Sequence, residues 1–334
     1  MAHTTQASAS RSPVLCRSLF WLLLLGVGLL ALAPWWAGRA NLRLFSEFFY
    51  MLALAQMWNL LAGYGGLLSI GQQAYIGIGG YVLVFFGLKL GIDPFLTIPL
   101  AGLVCGLLSL PFGALMFRLK GAYFAVGTWV LAEICRLVLA NISDFGGGSG
   151  LSVTATLRGI PAWWRESITL WSALALGVGA TAFVYFLLRS RHGLALTAVR
   201  DNVRAAASLG VSTRRIQWFV YVSCAVGCGM TGALIFITKL RISPDAAFSI
   251  DWMVAMIFIV VIGGIGTIEG PLLGTLLYFI LREQLSDYGS WYLIFVGMLT
   301  VGVMLWNPRG LWGSLQTRWN LDVFQVRRHL KRLS

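Results

Sequence analysis

SRHGLALTAVRDNVRAAASLGVSTRRIQ, running from Ser190 to Gln217, separates two apolar runs of membrane-spanning length, near 168–188 and 218–238. With Arg189 before it, the segment carries Arg191, Arg200, Arg204, Arg214 and Arg215 against a single acid, Asp201. Its alanines and leucines suit short helices, while its charge keeps it out of a bilayer. The flanking runs are continuous rather than alternating, unlike the strands of about ten residues that a membrane barrel uses. A chain made of such runs reads as an all-α membrane protein, a polytopic helical bundle.

Composition agrees. Hydrophobic residues make up 58% of the 334, charged ones 11%, and mean hydropathy is +0.80. A soluble domain carries about 25% charged residues, so lipid must surround most of this chain. At about 20 residues per span, spans are predicted near 18–36, 45–63, 67–89, 95–117, 121–142, 168–188, 218–238, 250–264, 271–282 and 290–306. The bundle therefore has about 8–10 transmembrane helices. It divides into a tail over 1–17, a transmembrane domain over 18–306 that includes the basic loop 189–217, and a basic tail over 307–334. The run FWLLLLGVGLLALA resembles a secretory leader, but PWWAGRANL after it offers no small-residue cleavage site, so it is kept as the first span. The stretch from Asn320 to Ser334 reads as a surface helix facing anionic lipid.

The net charge of +13 would suit nucleic acid in amount but not in placement, because the basic residues collect at span ends and in loops. With the N-terminus inside, 16 arginines and lysines fall on the inner side and 8 on the outer. That bias predicts cytoplasmic termini and a cytoplasmic 189–217 loop. Cys224, Cys228 and Gly232 form a small-residue stripe suited to close helix packing. His3, His192 and His329 lie outside the spans, so an intramembrane histidine relay is excluded.

Two spans are broken. Residues 63–81, GYGGLLSIGQQAYIGIGGY, place Ser69, Gln72 and Gln73 at membrane depth, where polar groups need protein partners or a water-filled route. These three are the candidate lining of a translocation route; the competing reading is that the glycines only let helices approach. The second break, IGGIGTIEGPLLGTLLY, runs from Ile262 to Tyr278. There Gly266, Gly270 and Gly274 recur every fourth residue as a packing face, Pro271 suits a helix's first turn, and Glu269 gains from the helix dipole as a cap. The similar placing of the breaks hints at an internal repeat, with a route near the repeat interface. Glu133 and Arg136, one turn apart, are expected to neutralise each other.

Chemistry is scarce. No Gly-Lys pair exists to end a nucleotide-binding loop, and H-E-x-x-H, C-x-x-C and G-x-S-x-G are all absent. The chain reads as a conduit and not an enzyme, with no cofactor or metal, and its energy must come from ions or a partner.

Several blocks carry a family resemblance. NLLAGYGGLLSIGQQAYIGIGGY (59–81), LKGAYFAVGTW (119–129), FGGGSGLSV (145–153), VVIGGIGTIEGPLLG (260–274) and NPRGLWG (307–313) appear in an order similar to that of bacterial branched-chain amino acid ABC importers. The chain resembles the longer of their two permease types over roughly residues 55–313. Such permeases dock on their ATPases through a helix of E-A-A-x-x-x-G type. Here Ala205, Ala206 and Gly210 stand at the alanines and the glycine, Arg204 takes the acidic position, and Asp201 lies one turn earlier. The resemblance implies that Arg200, Asp201, Ala205, Ala206 and Gly210 couple the chain to ATPase. It also implies a second homologous permease, two ABC ATPase subunits, an extracytoplasmic solute-binding protein and a bacterial inner-membrane setting. An ion-coupled secondary transporter is the rival from another class, and an importer of urea or short-chain amides the rival within the family.

Overall fold

A computed structural model describes residues 13–285, 291–307, 310–319 and 324; within these, side chains are described from 21 onward except at 201, 203, 204, 291–293 and 296. The predicted tail over 1–17 and the surface helix over 320–334 thus fall largely outside the described residues.

A backbone surrounded by lipid has to satisfy its own hydrogen bonds, and the apolar runs accordingly become helices. The order is α1 (Pro13–Ala31), α2 (Ala33–Trp36), α3 (Arg39–Asn59) with a π-helical turn at Leu60–Tyr64, and α4 (Gln73–Val82) with a wider π-helical end at Leu83–Lys89. Next come α5 (Thr97–Met116), α6 (Ala122–Ala140), α7 (Ala162–Arg189), α8 (Arg191–Asp201), α9 (Val203–Ser208) and α10 (Thr213–Lys239). The chain continues through α11 (Pro244–Ala247), α12 (Asp251–Gly263), α13 (Glu269–Leu285), α14 (Trp291–Trp306) and α15 (Gly310–Trp319). Strands β1 (Leu151–Ser152) and β2 (Arg241–Ile242) pair antiparallel and are the only sheet among the described residues.

A helix stands at each of the ten predicted spans, and among the described residues five helical stretches are long and apolar enough to cross a membrane. The ends differ in a consistent way. Helix α3 starts at Arg39 and α7 at Ala162, each about six residues early, because Arg39 and Arg43 lie 3.7 and 3.5 Å from the buried Glu166 carboxylate. Charges paired between helices let both continue past their apolar runs. Helix α10 starts at Thr213, so Arg214 and Arg215 belong to its exposed first turn and not to the loop.

The most buried of the membrane-length helices is α10, against which α3, α4, α5 and α7 all pack. Small residues make this approach. A Cβ added to Gly79 would lie 2.1 Å from the Gly229 carbonyl oxygen, and one on Gly232 2.2 Å from that of Ile76. Cys224 and Cys228 are free thiols buried on the same stripe, and Cys224 donates to the Met57 carbonyl. By contrast α6 exposes Val126, Val130, Ile134 and Val138, an apolar face suited to lipid.

Candidate functional site

Ser190 starts the basic segment: its Oγ accepts the His192 N–H at 3.1 Å, the usual N-terminal cap. Helix α8 then buries Leu196 and Val199 against the bundle. Asn202 ends it and starts α9, its Oδ1 accepting the Ala205 N–H at 3.1 Å. Helix α9 closes on Gly210, whose φ of +82° is natural only for glycine. Gly210 N–H reaches the Ala207 carbonyl at 3.0 Å and Val211 N–H that of Ala206 at 3.1 Å, satisfying the helix's last acceptors.

Of the predicted coupling residues, Arg200, Ala205 and Gly210 are exposed, whereas Ala206 is buried and faces its own bundle. Asp201 ends α8, and its side chain lies outside the described residues. The outward surface here also includes Ala207 of α9 and, in the turn that follows it, Leu209, which is 81% exposed. A lone apolar side chain held out on a short capped helix suits insertion into a partner's groove.

Behind this segment lie the two breaks, and they touch. The first leaves helix after Tyr64 and resumes at Gln73; the second covers the five residues from Gly264 to Ile268. A Cβ added to Gly63 would lie 2.7 Å from the Gly266 nitrogen, and Asn59, one turn earlier on α3, holds the second break by accepting the Gly266 N–H and donating to the Thr267 carbonyl, both at 2.8 Å. Gln56, one turn earlier on α3, donates to the Ile268 carbonyl at 2.9 Å. These amides supply the bonds that non-helical backbone needs at membrane depth. Arg200 reaches the same place. Its Nη1 donates to the Gly63 carbonyl at 3.4 Å, and a Cβ on Gly266 would lie 2.6 Å from that nitrogen. One side chain of the basic segment therefore contacts both broken elements.

The first break is held by its own polar residues. Ser69 Oγ accepts from Gly71 N–H at 3.3 Å and from Gln72 Nε2 at 3.2 Å, while Trp58 Nε1 donates to the Ser69 carbonyl at 3.0 Å. Ile70 N–H is taken up by Thr128 of α6 at 3.1 Å, and Gly71 packs so closely there that a Cβ would fall 2.0 Å from the Thr128 carbonyl oxygen. Ser69, Gln72 and Gln73 are all buried, and the Oε1 atoms of both glutamines have no hydrogen-bond partner among the described residues.

At the second break the expected packing face is revised. Gly270 and Gly274 do press against carbonyls, of Gly264 just past α12 and of Ile259 within it, but Gly266 sits in the loop at φ +73°, off that face. Pro271 lies in the first turn of α13, and so does Glu269. The capping bond, however, comes from Thr267, whose Oγ1 accepts the Gly270 N–H at 3.1 Å. Glu269 instead accepts the Phe324 N–H at 2.9 Å, tying α13 to the C-terminal stretch. Glu133 and Arg136 pair as expected, Nε to Oε1 at 2.9 Å, and Arg136 also holds Asp245.

Gln56, Asn59, Thr128 and Leu209 were not singled out from sequence. For Gln56 and Asn59 the signal was present: two amides one turn apart inside an apolar run, which at membrane depth must face protein.

Across residues 40–305 the chain matches the family model described as branched-chain amino acid transport system, permease component. It is 28% identical over 317 residues to the high-affinity branched-chain amino acid transport system permease protein LivM of Escherichia coli (strain K12), covering 85% of this chain and 73% of that one. A probable branched-chain amino acid transport permease protein LivM of Methanocaldococcus jannaschii is 25% identical over 279 residues, covering 74% and 80%. The fructose import permease protein FruG of Bifidobacterium longum is also similar, 25% identical over 276 residues, covering 77% and 78%. No solved structure matches the chain.

Proposed function

The chain belongs to the permease family of branched-chain amino acid transport systems, and on that premise we propose that it is one membrane subunit of an ATP-driven importer of branched-chain or related amino acids. Its partners are a second homologous permease, two ABC ATPase subunits and an extracytoplasmic solute-binding protein. It sits in the bacterial inner membrane with both termini and the α8–α9 segment in the cytoplasm.

The observation that carries this reading is Arg200, which links an exposed, capped helical segment to the meeting point of two broken helices. ATPase subunits that seat Ala205, Leu209 and Gly210 move α8–α9 when they close on ATP. Arg200 passes that motion to Gly63 and Gly266. Elements held there by a few side-chain bonds, and not by continuous helix, have two accessible arrangements, and the ATPases bias between them. The route passes Ser69, Gln72 and Gln73, whose unpaired amide oxygens become solute-facing when α4 shifts.

Substitution of Gly210 by leucine tests the reading. It strains the α9 cap and crowds its tip, so uptake and co-purification of the ATPase should fall together. Full uptake with no ATPase bound would favour an ion-driven carrier and overturn the proposal.

A further inference from the structure

At the opposite end of α10 from the α8–α9 segment, the bundle holds a recess of about 400 Å³. We propose that this recess receives the zwitterionic head of an amino acid on its way into the bundle. The inference rests on the amino acid importer reading and names a site that reading does not require.

The rim is charged in both signs, by Glu47, Lys239, Asp245, Asp251 and Arg282. Most of these are already matched. Arg282 Nη1 meets Glu47 Oε2 at 2.8 Å, and Asp245 is held by Arg136. What remains outside ion-pair contact among the described residues is one charge of each sign, although the Glu47 and Asp251 carboxylates attract the Lys239 ammonium from beyond that distance. Lys239 has no carboxylate within ion-pair distance among the described residues; its ammonium lies over the Trp252 ring, 4.6 Å from the centroid. Among the described residues the Asp251 carboxylate accepts only the Ser249 hydroxyl, at 2.9 Å. A simple anion would be drawn to Lys239 but repelled by Asp251, and a simple cation the reverse. A ligand carrying carboxylate and ammonium on one carbon answers both.

Below the charges lie Met51, Trp252, Ala255 and Tyr278, an apolar and aromatic floor suited to an aliphatic side chain. Placement fits as well. Helix α10 has 27 residues and spans about 40 Å. With α8–α9 in the cytoplasm, the recess therefore opens on the outer side, where a solute receptor would release its cargo.

The test uses the assembled transporter in membrane vesicles with a diazirine analogue of leucine. Irradiation should label peptides containing Met51 or Trp252–Ala255, and excess leucine should compete. Lys239→Met and Asp251→Asn should each cut labelling and uptake at least about tenfold, as expected when a charged hydrogen bond is lost, while Lys239→Arg keeps both. ATPase co-purification reports that each variant folds. If wild-type vesicles take up leucine but recess peptides stay unlabelled, or if both variants label normally, the proposal is overturned. Normal labelling with lost receptor binding would mark the recess as a protein contact and overturn it equally. Absence of leucine uptake by the wild-type assembly would overturn the importer reading itself, and this inference with it.

Discussion

Asn59 accepts the Gly266 N–H at 2.8 Å across a separation of 207 residues. The same amide donates to the Thr267 carbonyl, so one side chain at the end of α3 satisfies both polarities of a break in a distant part of the chain. Gly63, one turn on, lies so close to Gly266 that a Cβ there would fall 2.7 Å from its nitrogen, so the two broken elements form one junction, and Arg200 of the basic segment is in contact with it.

Replacing Asn59 by leucine should leave a buried donor and a buried acceptor unpaired, at about 1–3 kcal/mol each. Thermal unfolding in detergent should show a fall of several degrees, and Asn59→Asp, which keeps the acceptor but sets a buried carboxylate oxygen against the Thr267 carbonyl, no smaller one. An unchanged midpoint for Asn59→Leu would mean that water or a rearranged loop meets these groups.

Gly79→Val should be far more damaging than Gly179→Ala. At Gly79 the obstacle is the Gly229 backbone 2.1 Å away, which cannot rotate aside, so α4 and α10 must separate. Nothing lies within 4 Å of a Cβ at Gly179 on α7, where alanine should stabilise by roughly 0.5–1 kcal/mol. Yield and melting temperature of the two variants check this directly.

Glu133→Gln should lower stability by less than about 1 kcal/mol, because the Glu133–Arg136 pair is partly exposed and screened. Amino acid uptake should not change. A proton- or ion-coupled carrier that used this carboxylate would lose transport, so uptake separates the two classes.

Arg200→Gln should leave the ATPases bound and hydrolysing while uptake drops at least about tenfold, a loss in the range of one charged hydrogen bond. Arg200→Lys should recover part of it. Equal uptake in wild type and Arg200→Gln would remove Arg200 from the coupling.

The helices were legible because each apolar run approaches the length of a bilayer, and the glycines and polar residues of 63–81 and 262–278 marked where regular helix fails. Helix ends were less legible: pairing of Arg39 and Arg43 with Glu166 depends on two helices meeting, which no local pattern encodes. The junction was hidden for the same reason. Its bonds join α3 to a loop about two hundred residues on, so only the amides themselves, Gln56 and Asn59, could have pointed to it. That Ala206 turns inward was not legible, because a motif gives residue types but not which face a short helix turns to its own bundle. Lys239 and Asp251 are visible in the sequence as charges beside apolar runs, yet their shared recess exists only once α10 and α12 are placed.

Labelling of Leu209→Cys with a membrane-impermeant maleimide tests the central claim most directly, read as mass added to the peptide that contains position 209. The account predicts no reaction in intact cells, full reaction in inverted vesicles stripped of ATPase, and protection when ATPase is restored. Labelling of that peptide in intact cells would place α8–α9 outside and contradict the account.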